Sequence, residues 1–338
     1  MARTRSRGEE TREHFADAAS LAFTADDGRL LASLAGEAQA MRRGNALRPG
    51  WRPVHTRGVL VTGVFTPSGG AGPSAPAHLR PGQPLAAVAR FSSCQARLDG
   101  DDRRHGPRGL AVRFILANGD STDLVTMNTD RFLVTSHSSF VSVSKAMSSR
   151  LPLRIVRLAW LTVAHQLRGP WTFLSAFPPS SYARCTFDAI HTFVWTSNGR
   201  QPVRYRWRPS AGSGRRWPWN MLRRRADYLD HDLRSRVMTS GVSFVLEVQR
   251  PGSVKPSRLR DVARPLPRNV PWTPVGTLTL DKLPEGSEAE RIDRLVFSPV
   301  HLLPEIEVYP GDAVMALRTA AYPASHVSRT SSDVDRAG

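Results

Sequence analysis

The fold is decided by a hairpin sequence, HTFVWTSNGRQPVRYRW, at residues 191–207. Apolar and polar residues alternate on both sides of Asn198 and Gly199, a pair that favours a type I′ turn between antiparallel strands. Outward from this hairpin, other runs rich in Val, Phe and Thr are bounded by Gly and Pro, as strands are. These runs predict six further strands, at Gly58–Thr66, Pro84–Ser92, Gly109–Ala117, Thr122–Val134, Gly241–Gln249 and Gly276–Leu283.

Eight short strands with helical segments between and after them indicate an α+β fold, in which an eight-stranded antiparallel β-barrel carries flanking helices. Apolar spacing predicts helices at about residues 13–43, 143–167 and 310–329. We therefore expect three parts along the chain. They are an N-terminal helical arm at 1–44, a barrel domain at 45–330 and a disordered polar tail at 331–338.

Composition narrows the class of protein. The chain has 338 residues, with 47 basic against 29 acidic side chains, and two cysteines. Cys94 and Cys185 have no CxxC spacing, which argues against a disulfide scaffold or a four-thiolate metal site and suits a reducing compartment. No apolar stretch is long enough to span a bilayer. We expect a cytoplasmic globular protein without a membrane span.

The C-terminal helix carries a candidate metal ligand. Arg318 precedes Tyr322 by four residues, so both side chains lie on one helix face. A phenol titrates near pH 10, and a fixed arginine together with a ferric ion would favour its phenolate. Taken alone, the pair is more typical of a packed tyrosine beside a surface arginine. His55 and Ser92, taken alone, are likewise typical of polar residues at strand ends.

Motifs along nearly the whole chain resemble those of the catalase family. The segment Arg52-Pro-Val-His-Thr-Arg-Gly58 resembles the family's Arg-Val-Val-His-x-x-Gly, and Arg318, Tyr322, His326 and Arg329 keep the family's C-terminal order. The resemblance covers about residues 45–330. The motifs between its ends are Gly63-Val-Phe-Thr-Pro-Ser68, Val88-Ala-Arg-Phe-Ser92, Pro107-Arg-Gly-Leu-Ala-Val-Arg-Phe114, Asp123-Leu-Val-Thr-Met-Asn-Thr129, His191-Thr-Phe193, Phe297-Ser-Pro299 and Glu305-Ile-Glu307.

The resemblance implies a haem b cofactor, with its ferric iron bound by Tyr322 on a haem-ligating C-terminal helix. It implies that Arg318 is the partner of that ligand. His55 is implied as the distal histidine, with Ser92 orienting its ring. The remaining implied cofactor contacts are the propionate-binding arginines Arg52, Arg90 and Arg329, and the aromatic residues Phe132 and Phe140 beside the haem.

The sequence departs from the family at the distal side. Met127 occupies the position of the first asparagine of the family's Gly-Asn-Asn, and Asn128 matches only the second. A methionine replaces a hydrogen-bonding amide with an apolar thioether. Ala324 and Ser325 stand where the family has Asp and Thr, and little sequence follows Arg329. These features resemble the short, minicatalase-like branch of catalase-related peroxidases.

We therefore expect a haem-dependent peroxidase that reduces hydrogen peroxide or organic hydroperoxides with a small organic donor and has weak catalase activity. A homodimer is compatible with the sequence, and no nucleic-acid partner is expected. Two alternatives stay open. One is a fatty-acid hydroperoxide isomerase. Val54 argues against it, because that subgroup has a threonine immediately before the distal histidine. The other is a nucleic-acid binder that uses the interleaved arginines and aromatic residues of 215–225.

Overall fold

The computed structural model describes residues 55–94, 100–134, 177–213 and 223–315, together with 139, 142–143, 153, 156–157, 159–161 and 318. Within these residues the chain forms ten strands and three α-helices. The strands are β1 (Gly58–Pro67), β2 (Leu85–Ser93), β3 (Arg108–Ile115), β4 (Ser121–Met127), β5 (Phe187–Asp188), β6 (Phe193–Trp195), β7 (Gln201–Pro209), β8 (Val242–Gln249), β9 (Trp272–Lys282) and β10 (Ile306–Val308). The helices are α1 (Tyr228–Thr239), α2 (Pro256–Arg260) and α3 (Gly286–Asp293).

Eight of these strands close into an antiparallel barrel, as predicted. Their order is β7-β5-β4-β3-β2-β1-β9-β8, and β8 pairs with β7 to complete the ring. The predicted 191–207 hairpin is present as β6 and β7, with Phe193 opposite Val203. Strand β6 nevertheless lies outside the ring, where β10 covers its other edge. The two-residue strand β5 takes its place in the barrel, and β4 ends at Met127 rather than at Val134.

The two faces of the barrel wall differ in chemistry. The inner face holds the main apolar core, including fully buried Phe65, Phe91, Phe114 and Trp207. Since successive side chains of a strand point to opposite faces, Arg90 and Ser92 on β2 face outward. The outer face is therefore where polar groups of the wall can meet other parts of the chain.

The expected helices fall largely outside the described residues, including those at 13–43 and beyond 318. Within the 143–167 segment, Val143, Leu153 and Leu161 are among the few described residues, and all three have helical backbone. The C-terminal helix begins at Ala313 rather than at residue 310. Among the described helices, none is both long and apolar enough to cross a bilayer. The three-part division of the chain stays a prediction.

Strand β1 passes very close to β9 at a bulge next to Gly63, and this contact generates a prediction. A Cβ atom at Gly63 would lie 2.0 Å from the backbone oxygen of Thr279, so backbone would have to move. We expect Gly63→Ala to lower the free energy of unfolding by about 2–4 kcal/mol, measured by urea denaturation. Gly82→Ala is the control, because no atom lies within 4 Å of its added Cβ. Equal stability of the two variants would contradict this prediction.

Candidate active site

A histidine and a serine meet at the outward-facing end of strands β1 to β3. The Nδ1 atom of His55 lies 2.9 Å from Ser92 Oγ. Ser92 is buried and His55 is partly exposed. Whichever of the two atoms donates, this bond fixes the plane of the imidazole and leaves proton transfer to Nε2. The predicted pairing of His55 with Ser92 is thus present in the structure.

The backbone of His55 is held in an unusual conformation. Its φ of 57° makes it the sole non-glycine residue with positive φ among those described. A residue with a Cβ pays about 1–2 kcal/mol for this left-handed geometry. The side chain of Arg90 holds the segment, because Nη2 donates to the carbonyls of His55 at 2.9 Å and Thr56 at 3.2 Å. Strain of this kind concentrates where a side chain must be aimed.

Glycines make room for these two side chains. A Cβ on Gly109 would lie 3.0 Å from Ser92 Oγ and 3.3 Å from His55 Cε1. A Cβ on Gly58 would lie 2.5 Å from Cζ of Arg90. We call the outer face of the sheet beside the imidazole the floor. The small residues Gly58, Gly109 and Ser92 lie on it, and the buried side chain of Arg90 borders it. Such a surface fits a flat ligand that carries carboxylates, as a haem does.

Strand register places Met127 on this floor. Gly109 pairs with Ser92 on one side and with Met127 on the other, so the three residues share one face of the sheet. Asn128 points elsewhere, and its Oδ1 accepts from the backbone N–H of Arg108 at 2.6 Å. Asn128 therefore holds the end of β3 in place and does not supply the amide that is absent at position 127.

A carboxyl group lies next to Met127 on the same face of the sheet. Asp188 of β5 pairs with Met127, while its neighbour Phe187 packs in the core, so the Asp188 side chain lies on the outer face beside Met127. Burial is the main cause that raises the pKa of Asp188, and the negative charge of Asp130 adds to it, to a value of about 7 overall. Arg206 and Arg204 oppose this shift, whereas Glu247 adds to it. Because Arg206 donates to Glu247 at 2.6 Å, much of its charge is already compensated.

A second series of hydrogen bonds holds the side chain of Arg318 in place. Nη1 of Arg318 donates to Nε2 of His191 at 2.9 Å, and Nδ1 of His191 lies 2.7 Å from Oδ2 of Asp312. The other oxygen of Asp312 accepts from the backbone N–H groups of Val314 at 3.1 Å and Met315 at 2.9 Å. Asp312 thus caps the C-terminal helix at its first turn while orienting the histidine.

The protonation states of His191 and Asp312 follow from these hydrogen bonds. An arginine can only donate, so Nε2 of His191 accepts and Nδ1 donates to Asp312. Burial lowers the pKa of His191 despite the opposing charge of Asp312, which keeps the ring neutral. Burial alone would raise the pKa of Asp312, but the contacts with His191 and with two backbone N–H groups lower it overall. A neutral imidazole therefore holds the guanidinium of Arg318.

The structure brings together only part of the predicted site. His55, Ser92 and Arg90 lie together, and Arg318 lies at the start of the C-terminal helix. Phe132, after the end of β4, is partly buried and packs against the small cluster of Val134 and Leu161. Asp312 and Asp188 were missed, since neither lies in a motif that stands out in the sequence. The predicted residues Arg52, Phe140, Tyr322 and Arg329 lie outside the described residues.

The raised pKa of Asp188 predicts a specific pH dependence of stability. The folded state keeps a proton that an unfolded aspartate releases near pH 4, so stability falls as pH rises from about 4 to about 7. Asp188→Asn removes this loss. We expect the stability of the variant relative to wild type to rise by about 2–3 kcal/mol as the pH is raised from about 5 to about 7, by urea unfolding. The exposed Asp281→Asn is the control and should parallel wild type. A pH-independent difference for Asp188→Asn would refute the assignment.

Two known proteins are similar to this chain over most of its length. The chain is 31% identical over 314 residues to a catalase-related peroxidase of Mycolicibacterium paratuberculosis, which covers 87% of this chain and 94% of that protein. It is 27% identical over 292 residues to a catalase-related peroxidase of Synechococcus elongatus, covering 83% and 84% of the two chains.

Solved structures share the fold. A fungal catalase superimposes with a TM-score of 0.70 at 20% identity, and catalase A of Saccharomyces cerevisiae with 0.70 at 18%. Each covers 86% of this chain, which spans 62% and 63% of those two chains. The catalase family model matches residues 17–336. The chain therefore belongs to the catalase family of oxidoreductases, whose chemistry concerns peroxides.

Proposed function

We propose that this protein is a haem b peroxidase that reduces hydrogen peroxide or organic hydroperoxides with a small organic donor and dismutates hydrogen peroxide only weakly. The observation that carries the proposal is the His55–Ser92 pair, held in a strained geometry over a floor of small residues. The similarity of this chain to two catalase-related peroxidases supports the same chemistry.

The residues of this chain fit a haem. Arg90 borders the floor of small residues, and with Arg52 and Arg329 it would hold the two propionates. Phe132 and Phe140 would flank the ring. Tyr322 would bind the iron as a phenolate. When bound, the haem supplies a ferric iron that accepts oxidising equivalents from peroxide and passes them to the donor.

On the peroxide side, His55 moves a proton. An imidazole with Nδ1 fixed by Ser92 can take a proton from one peroxide oxygen through Nε2 and return it to the other oxygen. General acid–base help of this type is worth about 10² to 10⁴ in rate. The rigid backbone of His55 suits this role because the ring does not need to reorient between the two transfers.

On the opposite side, Arg318 stabilises the phenolate. It precedes Tyr322 by four residues, so on a continuous helix its positive charge would favour the phenolate. His191 and Asp312 fix the guanidinium, so the charge is placed before any ligand arrives. This preorganisation spares the protein a reorganisation cost on binding.

The absorbance spectrum of the reconstituted protein tests the proposal, and Tyr322→Phe is the decisive variant. We expect wild type to show a Soret band with a high-spin ferric tyrosinate pattern. The variant keeps the ring's volume but loses the phenolate that would bind the iron, so it should lose that pattern and retain haem much more weakly. His326→Gln is the control, since it changes a nearby residue on the same segment but removes no proposed ligand. An unchanged spectrum in Tyr322→Phe would remove Tyr322 as the ligand.

The side chain at position 127 is expected to influence the balance between peroxidase and catalase activity. A second peroxide molecule would find fewer hydrogen bonds beside a thioether than beside an amide, worth about 1–3 kcal/mol. That difference corresponds to about 5- to 150-fold in rate if it is expressed in the transition state. We expect Met127→Asn to raise oxygen evolution from hydrogen peroxide relative to peroxidase turnover.

Oxygen-electrode and donor-oxidation assays on the same preparation measure this ratio. Met127→Leu is the control, because it keeps an apolar side chain of similar volume and should leave the ratio unchanged. The explanation fails if Met127→Asn lowers the ratio, or if both variants shift it equally.

A further inference from the structure

A cavity away from the candidate active site is lined mainly by arginines. It lies between the single turn Tyr182–Arg184 and helix α1, and its volume is about 620 Å³. We call it the arginine cavity. This volume is within the range of sites that hold small molecules, about 300–1,000 Å³. Five guanidinium groups line it, those of Arg184, Arg223, Arg224, Arg225 and Arg236.

Two of these five charges are neutralised. Nε of Arg236 lies 3.0 Å from Asp232, the one carboxylate among the lining residues. Nε of Arg225 lies 3.0 Å from Asp227. Asp232 also accepts from the hydroxyl of Ser181, so its oxygens are committed to protein partners. The acidic groups near the cavity are therefore already used.

The other three charges have no carboxylate partner in the part of the chain that the structure describes. Arg224 donates to the backbone carbonyl of Ser180 at 3.0 Å, and its guanidinium stacks on the ring of Tyr228 at 4.9 Å, both neutral partners. Arg184 and Arg223 are exposed and make no hydrogen bond or ion pair with described residues. Three like charges around one cavity repel one another, and a bound anion would relieve that repulsion.

The chemistry of the lining selects the anion. Guanidinium groups bind phosphate oxygens through two parallel hydrogen bonds, and several of them around a cavity favour a ligand with more than one negative charge. The Tyr228 hydroxyl donates to the carbonyl of Pro179 and its ring is covered by Arg224, so this ring does not offer a stacking surface for a base. Recognition therefore rests on charge.

We propose that the arginine cavity is a binding site for a small phosphate-bearing ligand, either a diphosphate or a phosphate monoester. The site does not depend on haem, and it stands or falls separately from the proposed peroxidase activity. The five guanidinium groups surround one cavity of limited volume, whereas a nucleic-acid groove is an extended basic stripe that follows the backbone over many phosphates.

Isothermal titration with inorganic pyrophosphate at fixed ionic strength tests the proposal, and a nucleoside monophosphate titrated in parallel distinguishes the two ligand forms. We expect saturable one-site binding of at least one of them. Arg184→Met combined with Arg223→Met should weaken it by about tenfold or more, because two charged hydrogen-bond donors are lost. Each single substitution is measured as well, so that a folding defect in the double variant leaves the comparison intact.

Arg268→Met is the matched control, since Arg268 is exposed and does not line the cavity. Its affinity should equal that of wild type. The proposal is overturned if neither probe binds saturably, or if Arg268→Met weakens binding as much as the cavity variants do. It is also overturned if a single-stranded oligonucleotide displaces pyrophosphate with higher affinity and a steep salt dependence, because the surface would then be a nucleic-acid groove.

Discussion

The geometry of the candidate active site depends on one buried arginine. Arg90 holds the carbonyls of His55 and Thr56 and thereby keeps His55 in a left-handed conformation that its Cβ disfavours. Gly58 is the residue that lets the guanidinium approach, because any Cβ there would collide with it. Orientation of the imidazole by Ser92 then follows from the β2 register. One buried arginine thus sets both the backbone of His55 and the edge of the surface beside its ring.

Asp312, near the other end of the chain, likewise serves two purposes. Asp312 caps the first turn of the C-terminal helix with one oxygen and orients His191 with the other. The helix that carries Arg318 is therefore tied at its start to the histidine that holds Arg318. Loss of this carboxylate would disturb both the direction of the helix and the position of the charge. A cation placed in this way is fixed by the fold and not by the ligand that it serves.

The sequence predicted the parts that are local and repetitive. The Asn198–Gly199 turn and most strands are in place because alternation and turn chemistry act over a few residues. Strand β5 could not be predicted, since two residues carry no periodicity and its pairing with β4 and β7 joins segments far apart in sequence. The left-handed backbone of His55 was equally hidden, because no glycine marks it. Motif resemblance located His55 and Ser92, yet it gave no indication that Asp312 supports Arg318.

Some family motifs prove to be structural once their contacts are known, which explains why polarity at the outer face can change alone. Asp123 receives two bonds from Arg113, at 2.7 and 2.8 Å, and another from the backbone of Ser298. Asn128 is likewise committed to β3. Met127, between the strand core and Asn128, bears none of these duties. Its register neighbours are Gly109 and Asp188, so a thioether there changes the polarity of the outer face while the strand pairing is kept. Position 127 is therefore one where the chemistry of the outer face can vary while the fold stays constant.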